Sequence, residues 1–149
     1  HEARLQKQAK AQGQTLKRIS YADVGFDMYS LVIVAREESI AKDPDALRAF
    51  LRGSIRGMKY AFAPQNLEEG ARILLKYNPE VDLDAAVGAA TVASRYAFTD
   101  EVTSGKVAVG QFEPARVDKS RDIYTQYMQL KRKVPGDELY TNDLLPERK

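Results

Sequence analysis

The chain has 149 residues, 44% hydrophobic and 30% charged, with Lys+Arg 23 against Asp+Glu 21 for a formal net charge of +2; this is enough for one folded core and too balanced for wholesale disorder or a nucleic-acid footprint. It contains no cysteine, and its single histidine is His1, which excludes disulfides, thiolate catalysis and Cys-type zinc sites and nearly excludes histidine acid–base chemistry and His-ligated metals. The longest apolar run, Leu31–Ala35, falls far short of the roughly 20 residues of a membrane span, and any signal peptide is expected to have been removed or to lie upstream.

Glu2 to Gln12 is rich in Ala and straight side chains, with Leu5 and Ala9 four apart and Gly13 where a helix C′ residue belongs, so a helix ending near Gln12 is predicted. Thr15 to Tyr21 alternates loosely and reads as a short half-exposed strand. Leu31-Val32-Ile33-Val34-Ala35 is continuous and largely β-branched, the pattern of a strand covered on both faces. Asp43-Pro44-Asp45 opens a helix by capping, by proline at the first position and by charge against the dipole. Leu47, Phe50, Leu51, Ile55, Met58 and Phe62 then form an apolar stripe that Pro64 stops. Gly53 and Gly57, one turn apart, fit either a close backbone crossing or tolerated surface glycines.

Asn66 with Glu69 has the spacing of a capping box ahead of Leu67, Ala71, Leu74 and Leu75, and Asn78-Pro79 breaks that helix. Asp82 begins an alanine-faced helix through Ala97 suited to tight packing. Thr99 to Gln111 reads as a loop with a short extended piece. From Pro114 a helix is expected to continue to Pro135-Gly136, with Asp118, Lys119 and Asp122 on its polar face and Tyr124 and Tyr127 in the core. The tail DELYTNDLLP is turn-rich and expected to dock on the body. Glu37-Glu38 and Glu68-Glu69 are neighbours in sequence that do not converge on one helix face, so they read as solvated. The elements thus run helix, one or two strands, four helical segments. A lone doubly covered strand cannot satisfy its backbone groups, so sheet partners are expected from another segment or another chain.

Taken together, AKAQGQTLKRISYADVGFDMYSLVIVA, DPDALRAFLRGSIRGMKYA, EEGARILLKYNPEVD and LYTNDLLP resemble the C-terminal half of substrate-binding proteins of ABC importers, in the branch grouped with thiamine-pyrimidine-precursor, taurine and nitrate binding proteins. The resemblance implies a helix-rich α/β chain forming part of a type II periplasmic-binding-protein-like fold. Residues 1–24 would end the second lobe, 25–35 would be a hinge-crossing strand, and 36–149 would be the C-terminal helical part. It implies an extracytoplasmic, lipoprotein-like location and three partners: a small ligand, the missing N-terminal half in the same or a separate chain, and a membrane permease. No cofactor, metal or nucleic acid is expected.

A hinge strand delivers the residues at its start to the cleft, which makes Gly25, Asp27, Tyr29 and Ser30 the candidate ligand-binding residues. Asp27 would accept from an amine or amidine-like group, Tyr29 would stack or donate, Ser30 would hydrogen-bond both ways and Gly25 would give the backbone room. Turn chemistry accounts for the same residues: Asp27 capping a turn, Tyr29 packing at a strand end, Gly25 taking a positive φ. The leading function is capture of a small polar or heteroaromatic solute for import, with no catalytic residue. The alternatives are a pyrimidine-precursor synthase-like enzyme of the same fold, or a helical interaction domain whose apolar strand pairs with a partner.

Overall fold

Ala and long unbranched side chains lose little rotamer freedom in a helix, and the N-terminal stretch built from them winds into α1, Glu2–Ala11. The computed structural model describes residues 2–146, with side chains from residue 5 onward; His1 and the Arg148–Lys149 tail lie outside the described residues. Helix α1 ends as its sequence predicts. Gly13 adopts φ 68, and the Gln14 and Gly13 N–H groups donate back to the carbonyls of Ala9 (2.8 Å) and Lys10 (3.1 Å), the paired bonds of a Schellman cap.

Neither expected strand forms. Around Ser20 the chain prefers local bonds: the Ser20 N–H donates to the Asp23 carboxylate (2.9 Å) while the Asp23 N–H donates to Ser20 Oγ (3.1 Å). This reciprocal cap starts a 3-10 turn over Ala22–Val24, and Gly25 at φ 94 closes it with a second Schellman pair, Phe26 N–H to Tyr21 O and Gly25 N–H to Ala22 O. Side chains that bond their own backbone in this way compete with strand formation. At Leu31–Ala35 the reason is different. The backbone groups of residues 30–35 make no hydrogen bond among the described residues, because no second strand lies beside them, and an extended segment without a ladder is not a strand. The run is exposed, Leu31 at 99% and Val34 at 84%.

The remaining α-helices are α2 Glu37–Lys42, α3 Pro44–Ala61, α4 Leu67–Tyr77, α5 Leu83–Ala97, α6 Asp100–Thr103 and α7 Pro114–Tyr127. The helix-rich composition therefore holds, without the β component among the described residues. Asp43 and Asp82 cap α3 and α5 by accepting from the N–H groups of Ala46 (3.1 Å) and Ala85 (2.9 Å). The expected capping box at Asn66 and Glu69 does not form. The Asn66 amide donates instead to the Tyr60 carbonyl (3.1 Å) and Glu69 accepts from the Tyr60 hydroxyl (2.8 Å), so both residues serve the end of α3. Helix α7 stops at Tyr127, well short of Pro135, where Met128 caps it and Gln129 turns left-handed at φ 52. The segment Thr99 to Gln111, expected to be a loop with a short extended piece, contains α6, capped by Thr99, and no strand.

Two units contain these elements. The first joins residues up to Lys17 with Arg52–Gly110. In it α5 packs against α4 and α1, burying Ala71 and Ala86, as the alanine face predicts. Lys7 on α1 reaches Asp84 on α5 at 3.1 Å, which raises the lysine pKa through the hydrogen bond and the adjacent charge. Phe62 and Phe98 meet edge to face at 6.4 Å. The second unit joins Arg18–Leu51 with residues from Gln111 onward; its core holds Val117, Ser120 and Leu144, and it carries the candidate site.

Candidate functional site

Helical spacing puts Arg116, Ser120 and Tyr124 on one side of α7, with Val117 and Arg121 adjoining. The segment from Phe26 to Ser30 lies along this side. Asp27 pairs with Arg116 at 2.6 Å. The Arg116 guanidinium also sits over the Tyr29 ring, 4.7 Å from its centroid, a cation–π arrangement. Tyr29 is tied at both ends: its N–H donates to Ser120 Oγ (3.3 Å) and its phenolic oxygen accepts from the Glu113 N–H (2.9 Å). Ser120 in turn donates to the Arg116 carbonyl (2.8 Å). Arg116 Nε is buried without an acceptor.

Beside this cluster lies a cleft of about 370 Å³, within the size range of small-ligand sites. Rings from Tyr29, Phe112, Tyr124 and Tyr140 form much of its wall, Leu130 and Leu139 add aliphatic surface, and Ser30, Arg121 and Arg132 supply polar groups. Phe112 packs against Tyr29 at 5.0 Å and Tyr140 at 5.5 Å. The tail is fastened here. The Asn142 amide accepts from the Phe112 N–H and donates to the Phe112 carbonyl, both at 2.9 Å, so the expected docking of the tail occurs. Arg121 is held by Asp118 (2.5 Å) and Asp122 (3.0 Å). Lys133 joins Asp122 at 2.9 Å, and this bond, followed by that of Arg121, lowers the Asp122 pKa below the ordinary aspartate value. A second hollow, lined by Glu38, Ser39, Lys42 and Asp43 among others, has no aromatic wall. No metal-holding group of three or more His, Cys, Asp or Glu occurs among the described residues.

Of the four sequence candidates, Tyr29 and Ser30 line the cleft. Asp27 is engaged by Arg116, and Gly25 serves the turn closure. Tyr124 and Tyr127, both expected in the core, are exposed at 44% and 61%; Tyr124 faces the cleft and Tyr127 meets Phe26 at 5.6 Å. Asp118 and Asp122 do more than solvate α7, since both hold Arg121. Sequence reasoning missed Phe112, Arg116 and Tyr140. The four-residue spacing of Arg116, Ser120 and Tyr124 was a usable signal; for Phe112 and Tyr140, 28 residues apart in irregular stretches on either side of α7, there was none.

Comparison with curated proteins gives no match. Residues 4–66, under half of the chain, match the family model described as NMT1/THI5 like, a family of periplasmic-binding-type fold, and this supports reading the matched stretch as a fragment of a substrate-binding-type domain.

Proposed function

We propose that this chain is the C-terminal part of a solute-binding component of an ABC import system, which captures a small polar or heteroaromatic molecule and presents it to a membrane permease outside the cytoplasm. The observation that carries this reading is a coincidence of place: the stretch similar to the NMT1/THI5-like family contains Tyr29, Ser30 and Val32, all of which line the aromatic cleft. Tyr29 and Ser30 are the direct ligand contacts. Asp27 holds Arg116 against the Tyr29 ring, and Gly25 sets the turn that delivers the segment. Leu31–Ala35 completes a sheet whose other strands come from the first half of the receptor, which lies upstream or on a separate chain; this accounts for an apolar run with unpaired backbone. Capture needs no nucleophile or metal, and the chain is read as non-enzymatic.

The test is a thermal-shift panel of pyrimidines, sulfonates, aromatic acids and urea-like compounds, followed by native mass spectrometry with the best compound. A ligand that binds only the folded state raises the melting temperature by mass action. The expected outcome is a shift for one chemical class and a one-to-one complex. Absence of any shift across the panel, with the receptor's first half added back, would sink the solute-binding reading.

A further inference from the structure

The polar supply of the cleft is one-sided. Its lining includes two arginines and no lysine, aspartate or glutamate. Arg121 is only 14% exposed and committed to Asp118 and Asp122. Arg132 is different: 75% exposed, with a single long contact of 3.5 Å to Glu138, it keeps guanidinium donors to spare. The hydroxyls divide in the same way. Ser120 and Thr125 spend their protons on the carbonyls of Arg116 and Arg121, whereas Tyr29 accepts from Glu113 N–H and so retains its own proton to donate. Of the neighbouring acids, Asp118 is engaged by Arg121 and Asp122 by Arg121 and Lys133, while Glu138 makes only its long contact with Arg132. An ammonium ligand would find hydroxyl and carbonyl oxygens in the lining but no carboxylate to pair its charge. An apolar body finds four rings and several aliphatic side chains.

We propose that this cleft takes a small carboxylate with an aryl or alkyl body, the anionic head held by Arg132 and the Tyr29 hydroxyl and the body packed among the rings of Phe112, Tyr124 and Tyr140. This rests on the solute-binding reading and names its ligand class. Carboxylate is favoured because a guanidinium fork matches it with two parallel bonds. Binding weakens with added salt, as the exposed Arg132 requires.

Titration calorimetry on the full chain tests this with three probes of one shape: 3-phenylpropionate, its primary amide, and 3-phenylpropylamine. The acid is expected to bind about tenfold tighter than the amide or more, as charge-assisted bonds provide, with the amine weakest. Arg132→Gln removes the acid's advantage over the amide, and its circular dichroism spectrum stays that of the parent because the side chain is exposed. Tyr29→Phe reduces acid affinity and leaves amide binding less affected. The proposal is overturned if the amide or amine binds as tightly as the acid, if the advantage survives Arg132→Gln, or if the acid does not bind. In that last case a neutral heteroaromatic that still raises the melting temperature would leave the receptor reading intact, while silence from every compound, with the receptor's first half added back, would remove both.

Discussion

Gly25, Gly53 and Gly57 show how one residue type carries opposite weight by position. Gly25 sits at φ 94, where a Cβ strains the backbone by about 1–2 kcal/mol. Gly53 and Gly57 lie in helix α3 with nothing within 4 Å of an added Cβ, so no backbone crosses there. Gly25→Ala is therefore expected to destabilise the second unit by about 1 kcal/mol, and Gly53→Ala and Gly57→Ala to stabilise by up to about 1 kcal/mol each, as read by urea denaturation. An increase in midpoint for Gly25→Ala would contradict the turn assignment. The neighbouring Asp23 has its pKa lowered, chiefly by the Ser20 backbone N–H and then by the Ser20 hydroxyl. Because the folded value lies below the unfolded one, the contribution is present above the ordinary aspartate pKa and is lost as pH falls through the folded value. NMR titration should place the Asp23 midpoint below that of an unperturbed aspartate, and Ser20→Ala should move it upward.

At the scale of elements, helix starts were legible wherever one short side chain decides them. Asp43 and Asp82 needed nothing distant to cap α3 and α5, and Gly13 ended α1. Asn66 was misread because its spacing to Glu69 matches two solutions, a box at the start of α4 or a clasp on the end of α3, and the choice depends on where Tyr60 lies. The strand at Thr15–Tyr21 was misread because a serine and an aspartate three apart outweigh loose alternation. In the site, Tyr29 was findable from its place before the apolar run, but the cleft depends on Phe112 and Tyr140, which long-range folding alone brings together. The corner between α3 and α4 is tight: a Cβ at Gly70 would stand 3.0 Å from Ala61 Cβ and 3.1 Å from its carbonyl oxygen. Gly70→Ala should thus lower stability by about 1–3 kcal/mol despite its better helix propensity. An unchanged melting temperature would show that this corner yields.

For the whole molecule the main quantity is surface. Leu31, Val32, Ile33 and Val34 form a continuous apolar run that is exposed along its length, from 48% at Val32 to 99% at Leu31. Ile33→Lys and Val34→Lys should therefore leave the melting temperature of the chain by itself unchanged within about 0.5 kcal/mol and reduce binding of a hydrophobic dye. A large loss of stability would mean that these side chains are buried in solution.

The Asn142 amide, bonded through both its oxygen and its nitrogen to the backbone of Phe112, also sets a chemical clock. Asparagine side chains hydrolyse slowly to aspartate as proteins age, and an aspartate here could still receive the Phe112 N–H but would turn a negative oxygen toward the Phe112 carbonyl. One spontaneous, unprogrammed reaction would then unhook the tail from the wall of the cleft, so that stored material should lose Tyr140 from its place before any other part of the second unit unravels.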